Sequence, residues 1–393
     1  MLIDGDPIAI TREDLVVGEP VPWRLFDREQ RLLAKEGTVI TSERQIEALL
    51  MRGAIRYETV DRQRRRRPER KAPVALFERQ RPDAFRDYHA VGEELMELFY
   101  RLQDEPETLP SVVAGIIEIA GRLRALVAGD PEKALVALHL MNEYPYIVIH
   151  PIHVAIITML MELSSGKDEV HQTSMVCAAL TQNLAMNDLQ EELYTQLFPL
   201  DEEQREMIQA HPQKTVEMLQ EAGVTDPLWL EVIRQHHERE DGSGYPRGLN
   251  EADILTEARI IALADRYSAM AFERPFRENK GPRAILTAFY NESQIHKRRL
   301  PLQLIQQLGV YPPGLFVRLH NGETAMVVKR SGPNGKPMVV SFINPRGGAF
   351  EPPMLRDTGS SPMYVVKGVC AVDPGSFDLD SIWGVVSKIR AGG

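Results

Sequence analysis

Residues 236–246 read His-His-Glu-Arg-Glu-Asp-Gly-Ser-Gly-Tyr-Pro. Two adjacent imidazoles lead into a loop that holds two glycines and closes on an aromatic–proline pair. Glycine accepts tight backbone bends, and proline stiffens the exit from them. Taken alone, His236 and His237 end a helix, Gly242 and Gly244 permit a tight turn, and Tyr245 packs on a helix.

The chain has 393 residues, 43% of them hydrophobic and 26% charged. That is enough apolar mass for two or three domains. The formal net charge of −10 argues against nucleic acid or an anionic membrane as a partner of the whole surface. The two cysteines, Cys177 and Cys370, lie far apart without metal-type spacing, which fits a reducing cytoplasm. The most apolar stretch, 147–163, is interrupted by His150, Pro151, His153 and Glu162, and reads as a buried helix rather than a membrane span.

Four segments follow from the pattern. Residues 1–60 read as a small α+β domain. In it Ser42 and Gln45 form a capping box for a helix that buries Ile46, Leu49 and Leu50 and stops at Gly53. Residues 61–84 include the run Arg62 to Lys71, a solvated basic linker. Residues 85–310 are helical nearly throughout. Helix starts are expected at Asp130-Pro131, at Asp201 with Gln204, and at His211-Pro212. Residues 311–393 read as β-rich. A hairpin turns at Asn321-Gly322, expected as type I′, and a second turn falls at Pro333-Asn334-Gly335. A strand is expected at 363–366, and a closing helix at 378–389.

The loop 236–246 resembles the motif of HD-GYP domains, bacterial proteins that hydrolyse cyclic di-GMP. Over residues 140–310 further positions match that family in order and spacing: His150, His211 of a His-Pro step, the pair His236 and His237, Asp265, and the Arg274–Arg277 segment. The resemblance implies a helical bundle in which the histidines and Asp265 hold a pair of iron, manganese or similar ions. It implies that Arg274 and Arg277 hold nucleotide phosphates, although both arginines also suit plain ion pairs. It implies that the loop Gly242, Gly244, Tyr245 and Pro246 meets GGDEF-domain diguanylate cyclases.

One segment departs. Where the family has Ala-Ala-Leu-Leu-His-Asp-Ile-Gly-Lys, this chain has Ala178-Ala179-Leu180-Thr181-Gln182-Asn183-Leu184-Ala185-Met186. A bridging carboxylate and an imidazole are thus replaced by two uncharged amides. Ser268 also stands where the family has an aspartate, Pro151 follows the first histidine, and Tyr146 replaces a glutamate that serves a third metal in some members. Two-metal phosphodiester hydrolysis needs a shared anion to hold both ions around one hydroxide.

The expectation is a cytoplasmic cyclic di-GMP signalling protein with a degenerate, catalytically silent HD-GYP domain, mainly α with small α+β and β-rich flanks. It would work by binding the nucleotide, a diguanylate cyclase or another signalling protein. No catalytic residue and no full metal occupancy are expected, and any ion would be weakly held iron, manganese or a similar divalent ion. The oligomeric state stays open. The competing reading is an active metal-dependent phosphodiesterase that recruits Glu143, Asp188 or Glu191 as replacement ligands.

Overall fold

The computed structural model describes residues 7–27, 32–40, 42–57, 83–141, 143–196, 200–271, 281–296, 299–332, 334–372 and 377–391. The basic run 62–71 lies outside the described residues, as do Arg274 and Arg277. The protein is mainly α-helical, with small antiparallel sheets near both ends. It divides into two compact units. One comprises Met1–Phe77, Met186–Ile208 and Met270–Asn279; the other comprises Glu78–Ala185, Gln209–Ala269 and Lys280–Gly393.

In the first unit, β1 (Pro7–Ala9), β2 (Leu25–Phe26), β3 (Leu32–Ala34), α1 (Glu43–Met51) and β4 (Ile55–Tyr57) follow in sequence. The strands pair antiparallel in the order β1-β4-β2-β3. Ser42 caps α1 by accepting from the backbone N–H of Gln45. Ile46 and Leu49 of α1 bury against Leu25, Leu33 and Ile40. Gly53, at φ +65°, turns the chain out of the helix.

The later helices are α2 (Arg86–Asp104), α3 (Leu109–Gly129), α4 (Pro131–Leu140), α5 (Tyr146–Glu162), α6 (Glu169–Thr181), α7 (Asn187–Thr195), α8 (Glu202–Glu221), α9 (Pro227–Gln235), α10 (Thr256–Ala271), α11 (Pro282–His296) and α12 (Leu300–Leu308). Strands β5 (Phe316–Leu319), β6 (Thr324–Lys329), β7 (Met338–Ile343), β8 (Ala349–Asp357) and β9 (Val366–Val369) and helix α13 (Leu379–Ala391) complete the chain. Helix α5 is buried along its whole length and packs against α2, α3, α4, α6 and α12. A helix apolar on every side belongs at the centre of a bundle. Among the described residues no helix is long and apolar enough to cross a membrane.

The expected caps form where carboxylates stand beside orphan N–H groups. Asp130 Oδ1 accepts from Lys133 N at 3.0 Å to open α4. Asp201 and Gln204 complete a reciprocal box, with Gln204 N to Asp201 Oδ1 at 2.8 Å and Asp201 N to Gln204 Oε1 at 3.2 Å. That box corrects one expectation. No helix opens at His211-Pro212; α8 starts at Glu202 and carries Pro212 in its interior. An interior proline removes one ladder bond, and the box ten residues earlier has already nucleated the helix. Pro151 behaves alike: it lies within α5, so His150 stays helical.

The C-terminal sheet has the order β8-β7-β6-β5-β9. The β5–β6 hairpin pairs Val317 with Ala325 and Arg318 with Thr324. Its turn is not type I′. Gly322 N donates to Leu319 O at 3.0 Å and Leu319 N to Glu323 O at 2.9 Å, so three residues, 320–322, make the connection. Only the last of them, Gly322, needs the left-handed φ of +89°. The strand expected at 363–366 begins only at Val366, because Ser361 caps a short turn over Pro362–Tyr364. Strand β8 was not foreseen. It contains Pro352 and Pro353 and sits at the sheet edge, where missing N–H groups are tolerated.

Helices α6 and α9 are locked at Thr181. Its hydroxyl donates to Cys177 O at 2.7 Å and accepts from Trp229 Nε1 at 2.8 Å. Thr181→Val keeps the shape and removes the acceptor, leaving a buried indole N–H unsatisfied. A loss of about 1–3 kcal/mol is expected, read from urea denaturation followed by tryptophan fluorescence; an unchanged midpoint would refute it.

Candidate functional site

The C-terminal end of α9 and the middle of α8 bring three imidazoles together. One nitrogen each from His211, His236 and His237 lies within 4.8 Å of the others. Asp226 sets this end of the molecule by capping α9: its Oδ1 accepts from Leu228 N at 2.9 Å and Trp229 N at 3.2 Å. Ten residues on, the helix delivers His236, whose Nδ1–H donates to Ile233 O at 2.6 Å. That bond fixes the tautomer and leaves Nε2 as a lone pair, 3.3 Å from His211 Nε2. Burial pushes His236 and His237 below the ordinary histidine pKa, so both rings are neutral near pH 7. Neutral, oriented imidazole nitrogens suit a divalent transition ion, so the three residues fit one such ion.

A second constellation, built from α5, α6 and α10, is organised differently. His150 Nε2 donates to Asp265 Oδ1 at 2.9 Å, and Gln182 Nε2 donates to the same oxygen at 3.2 Å. His150 Nδ1 lies 3.0 Å from the Ser268 hydroxyl, within hydrogen-bond distance. Tyr146 stacks on the His150 ring at 4.9 Å between centroids. Burial raises the Asp265 carboxyl, but the hydrogen bond from His150 and the pull of the His150, His237 and His236 rings outweigh it. The acid is held below the usual carboxylate range. Both nitrogens of His150 and one oxygen of Asp265 are therefore engaged within the protein.

The remaining positions do not fit a second ion bridged to the first. Asn183 is 7% exposed, and its Oδ1 and the Oε1 of Gln182 have no hydrogen-bond partner among the described residues. These are neutral carbonyl oxygens. Each offers a dipole where a shared ion pair needs a negative charge. Of the proposed replacement ligands, Glu143 is engaged elsewhere, its Oε1 lying 2.8 Å from His89 Nδ1.

The glycine loop is anchored through residues that the sequence reading passed over. Glu238, buried, accepts from Arg247 N at 2.7 Å and Leu249 N at 2.9 Å. Asp241 Oδ1 accepts from Ser243 N at 3.0 Å. Tyr245 stacks on His237 with centroids 4.8 Å apart. The exposed rim of the loop is Asp241, Ser243, Pro246, Arg247 and Gly248. Nothing in composition marks Glu238 as an anchor, because its two partners are backbone groups nine and eleven residues on.

Residues 150–294 match the HD domain family, and the glycine loop with its tyrosine and proline lies inside that match. Residues 150–294 are thus an HD domain, and the loop inside it is similar to that of HD-GYP proteins. A cyclic di-GMP phosphodiesterase of Pseudomonas aeruginosa is 24% identical over 276 residues, 69% of this chain and 66% of that protein. A cyclic di-GMP phosphodiesterase of Borreliella burgdorferi is 24% identical over 204 residues, 51% of this chain and 53% of that protein. The chain thus spans between about half and two thirds of the length of these relatives. An HDG“Y”P protein from Bdellovibrio bacteriovorus aligns in structure over 77% of this chain and 98% of its own, with 18% identity and a TM-score of 0.47. The paired histidines, His211 and the glycine loop all lie within the matched residues, as does the segment 181–186.

Proposed function

We propose that this protein serves cyclic di-GMP signalling by binding rather than by hydrolysis. The observation that carries the reading is the pair of amides at 182 and 183: Gln182 Oε1 and Asn183 Oδ1 are buried, neutral and without a hydrogen-bond partner among the described residues, where the dimetal mechanism needs a shared negative charge. Loss of one outer-sphere partner of a metal ligand already costs roughly 10–100-fold in affinity or activity, and here two inner positions are changed.

On this reading His211, His236 and His237 hold at most one iron, manganese or similar ion, and hold it weakly. Such an ion supplies Lewis acidity toward a phosphate oxygen. The chain's own residues orient it: Ile233 O fixes the His236 tautomer, and Tyr245 covers His237. Arg274 and Arg277 would receive the nucleotide phosphates. The rim of the 241–248 loop would meet a GGDEF-domain cyclase or another signalling protein in the cytoplasm. Support for cyclic di-GMP as the ligand comes from the named activities of the two relatives.

The test is a restoration. With Mn2+ present, the natural chain should leave cyclic di-GMP at the background hydrolysis rate, and the double substitution Gln182→His with Asn183→Asp should raise turnover at least roughly 10-fold. Turnover by the natural chain equal to that of the restored variant would overturn the proposal. Calorimetry with cyclic di-GMP should give a binding isotherm that an Arg274→Ala, Arg277→Ala variant loses.

A further inference from the structure

The three helices that present His150, Gln182 and Asp265 also converge at their opposite ends. Helix α5 ends at Glu162, α6 places His171 in its first turn, and α10 places Glu257 in its first turn. At 1.5 Å per residue, these positions stand roughly 12–18 Å along the helices from the first constellation. They are a separate locus within the same compact unit.

Glu162 is only 2% exposed, and its Oε2 makes no hydrogen bond. An unsatisfied buried carboxylate oxygen is costly. Its position is the wrong one for helix electrostatics, since the C-terminal end of a helix carries partial negative charge. The oxygen faces His171 Nε2 at 3.5 Å, and that nitrogen is also buried and makes no hydrogen bond. Glu257 Oε1 stands 3.9 Å from the same nitrogen. These separations are too long for hydrogen bonds. They resemble the spacing of ligands around one small ion, where ~2.1 Å metal–ligand bonds in a tetrahedron set ligands roughly 3.4 Å apart.

We propose that Glu162, His171 and Glu257 form a second cation site, for a divalent ion of mixed nitrogen and oxygen preference such as Zn2+. Two carboxylates and one imidazole are a donor set that such ions take. The two acids cancel the charge of the ion. Unlike the three histidines, these donors do not all fall within 4.8 Å of one another. Binding therefore draws in the most exposed of the three, Glu257, whose side chain is 20% exposed. It also displaces Lys167, whose half-exposed ammonium lies 3.9 Å from Glu257 and can turn to water. The ion pins the ends of α5, α6 and α10 together, and so braces the helices that carry His150, Gln182 and Asp265.

The experiment counts Zn2+ retained per full-length chain after chelation, reloading and dialysis against micromolar Zn2+. The natural protein should hold one ion that His171→Gln and Glu257→Gln each abolish. His236→Gln should leave that ion in place and remove only the one at the three-histidine group. Far-UV circular dichroism checks the fold of each variant, and Glu257→Gln changes a partly exposed side chain that the core does not need. A count unchanged by both His171→Gln and Glu257→Gln overturns the proposal and leaves a plain ion-pair network. A count governed by His236 alone overturns it equally. A failure confined to His236→Gln bears on the three-histidine site and not on this one.

Discussion

Gly244→Ala will destabilise the domain by about 3 kcal/mol and dislodge the loop that covers His237. A Cβ at this position would lie 2.3 Å from Arg239 N and 2.5 Å from Glu238 Cα. Both are backbone atoms, so no side chain can rotate away. Overpacking costs about 1–3 kcal/mol where neighbours shift, and the upper end applies because Glu238 is fixed twice, through Arg247 N and Leu249 N. Gly242 offers the contrast. Its nearest neighbours to a Cβ are 3.4 Å or more away, so alanine there meets only the strain of φ +74°, a cost nearer 1 kcal/mol. Urea denaturation of the two variants should rank them in that order. Equal midpoints would show that the Gly-Tyr-Pro loop is not clamped to the end of α9.

This ranking bears on why the loop persists beside an altered metal segment. Tyr245 stacks on His237, and Glu238 ties the loop back to the helix end. The loop is part of the packing of the histidine pair, so its retention needs no hydrolytic activity to explain it.

Much of this was legible from the residues because it rests on local rules. Carboxylates at 130 and 201 predict helix starts through short-range hydrogen bonds, and both starts occur. The three histidines were placed by resemblance of spacing, and the fold gathers them. Prolines misled in both directions. Pro212 seemed to open a helix because proline suits first turns, but the box at 201 had already done so. Pro352 and Pro353 hid strand β8 because proline is rare in sheets, except at an edge. The pairing of His150 and Gln182 on one oxygen of Asp265 joins residues 115 and 83 positions apart. No periodicity announces such a contact.

The metal-free protein should lose stability steeply on mild acidification, well before its carboxylates titrate. His153 is 4% exposed. Burial, reinforced by His139 and His150, pushes its pKa down to about 3, against a weaker opposing bond to the Met141 backbone. The unfolded chain binds this proton near pH 6.5, and the folded chain refuses it until about pH 3. Stability is therefore fully present above pH 6.5 and falls through the window between those values. Two pH units at ~1.4 kcal/mol each give about 3 kcal/mol lost by pH 4.5 from His153 alone. His236 and His237, also depressed by burial, act with the same sign. Asp265, held below the usual range, adds its own loss only as pH falls under the unfolded carboxylate value of about 4. Urea denaturation in chelator at pH 7.5, 6.0 and 4.5 measures the slope. His153→Gln should flatten it by ~1.4 kcal/mol per unit below pH 6. An unaltered slope in that variant would mean that His153 takes up its proton while still folded, and that the interior around α5 yields more easily than its packing implies.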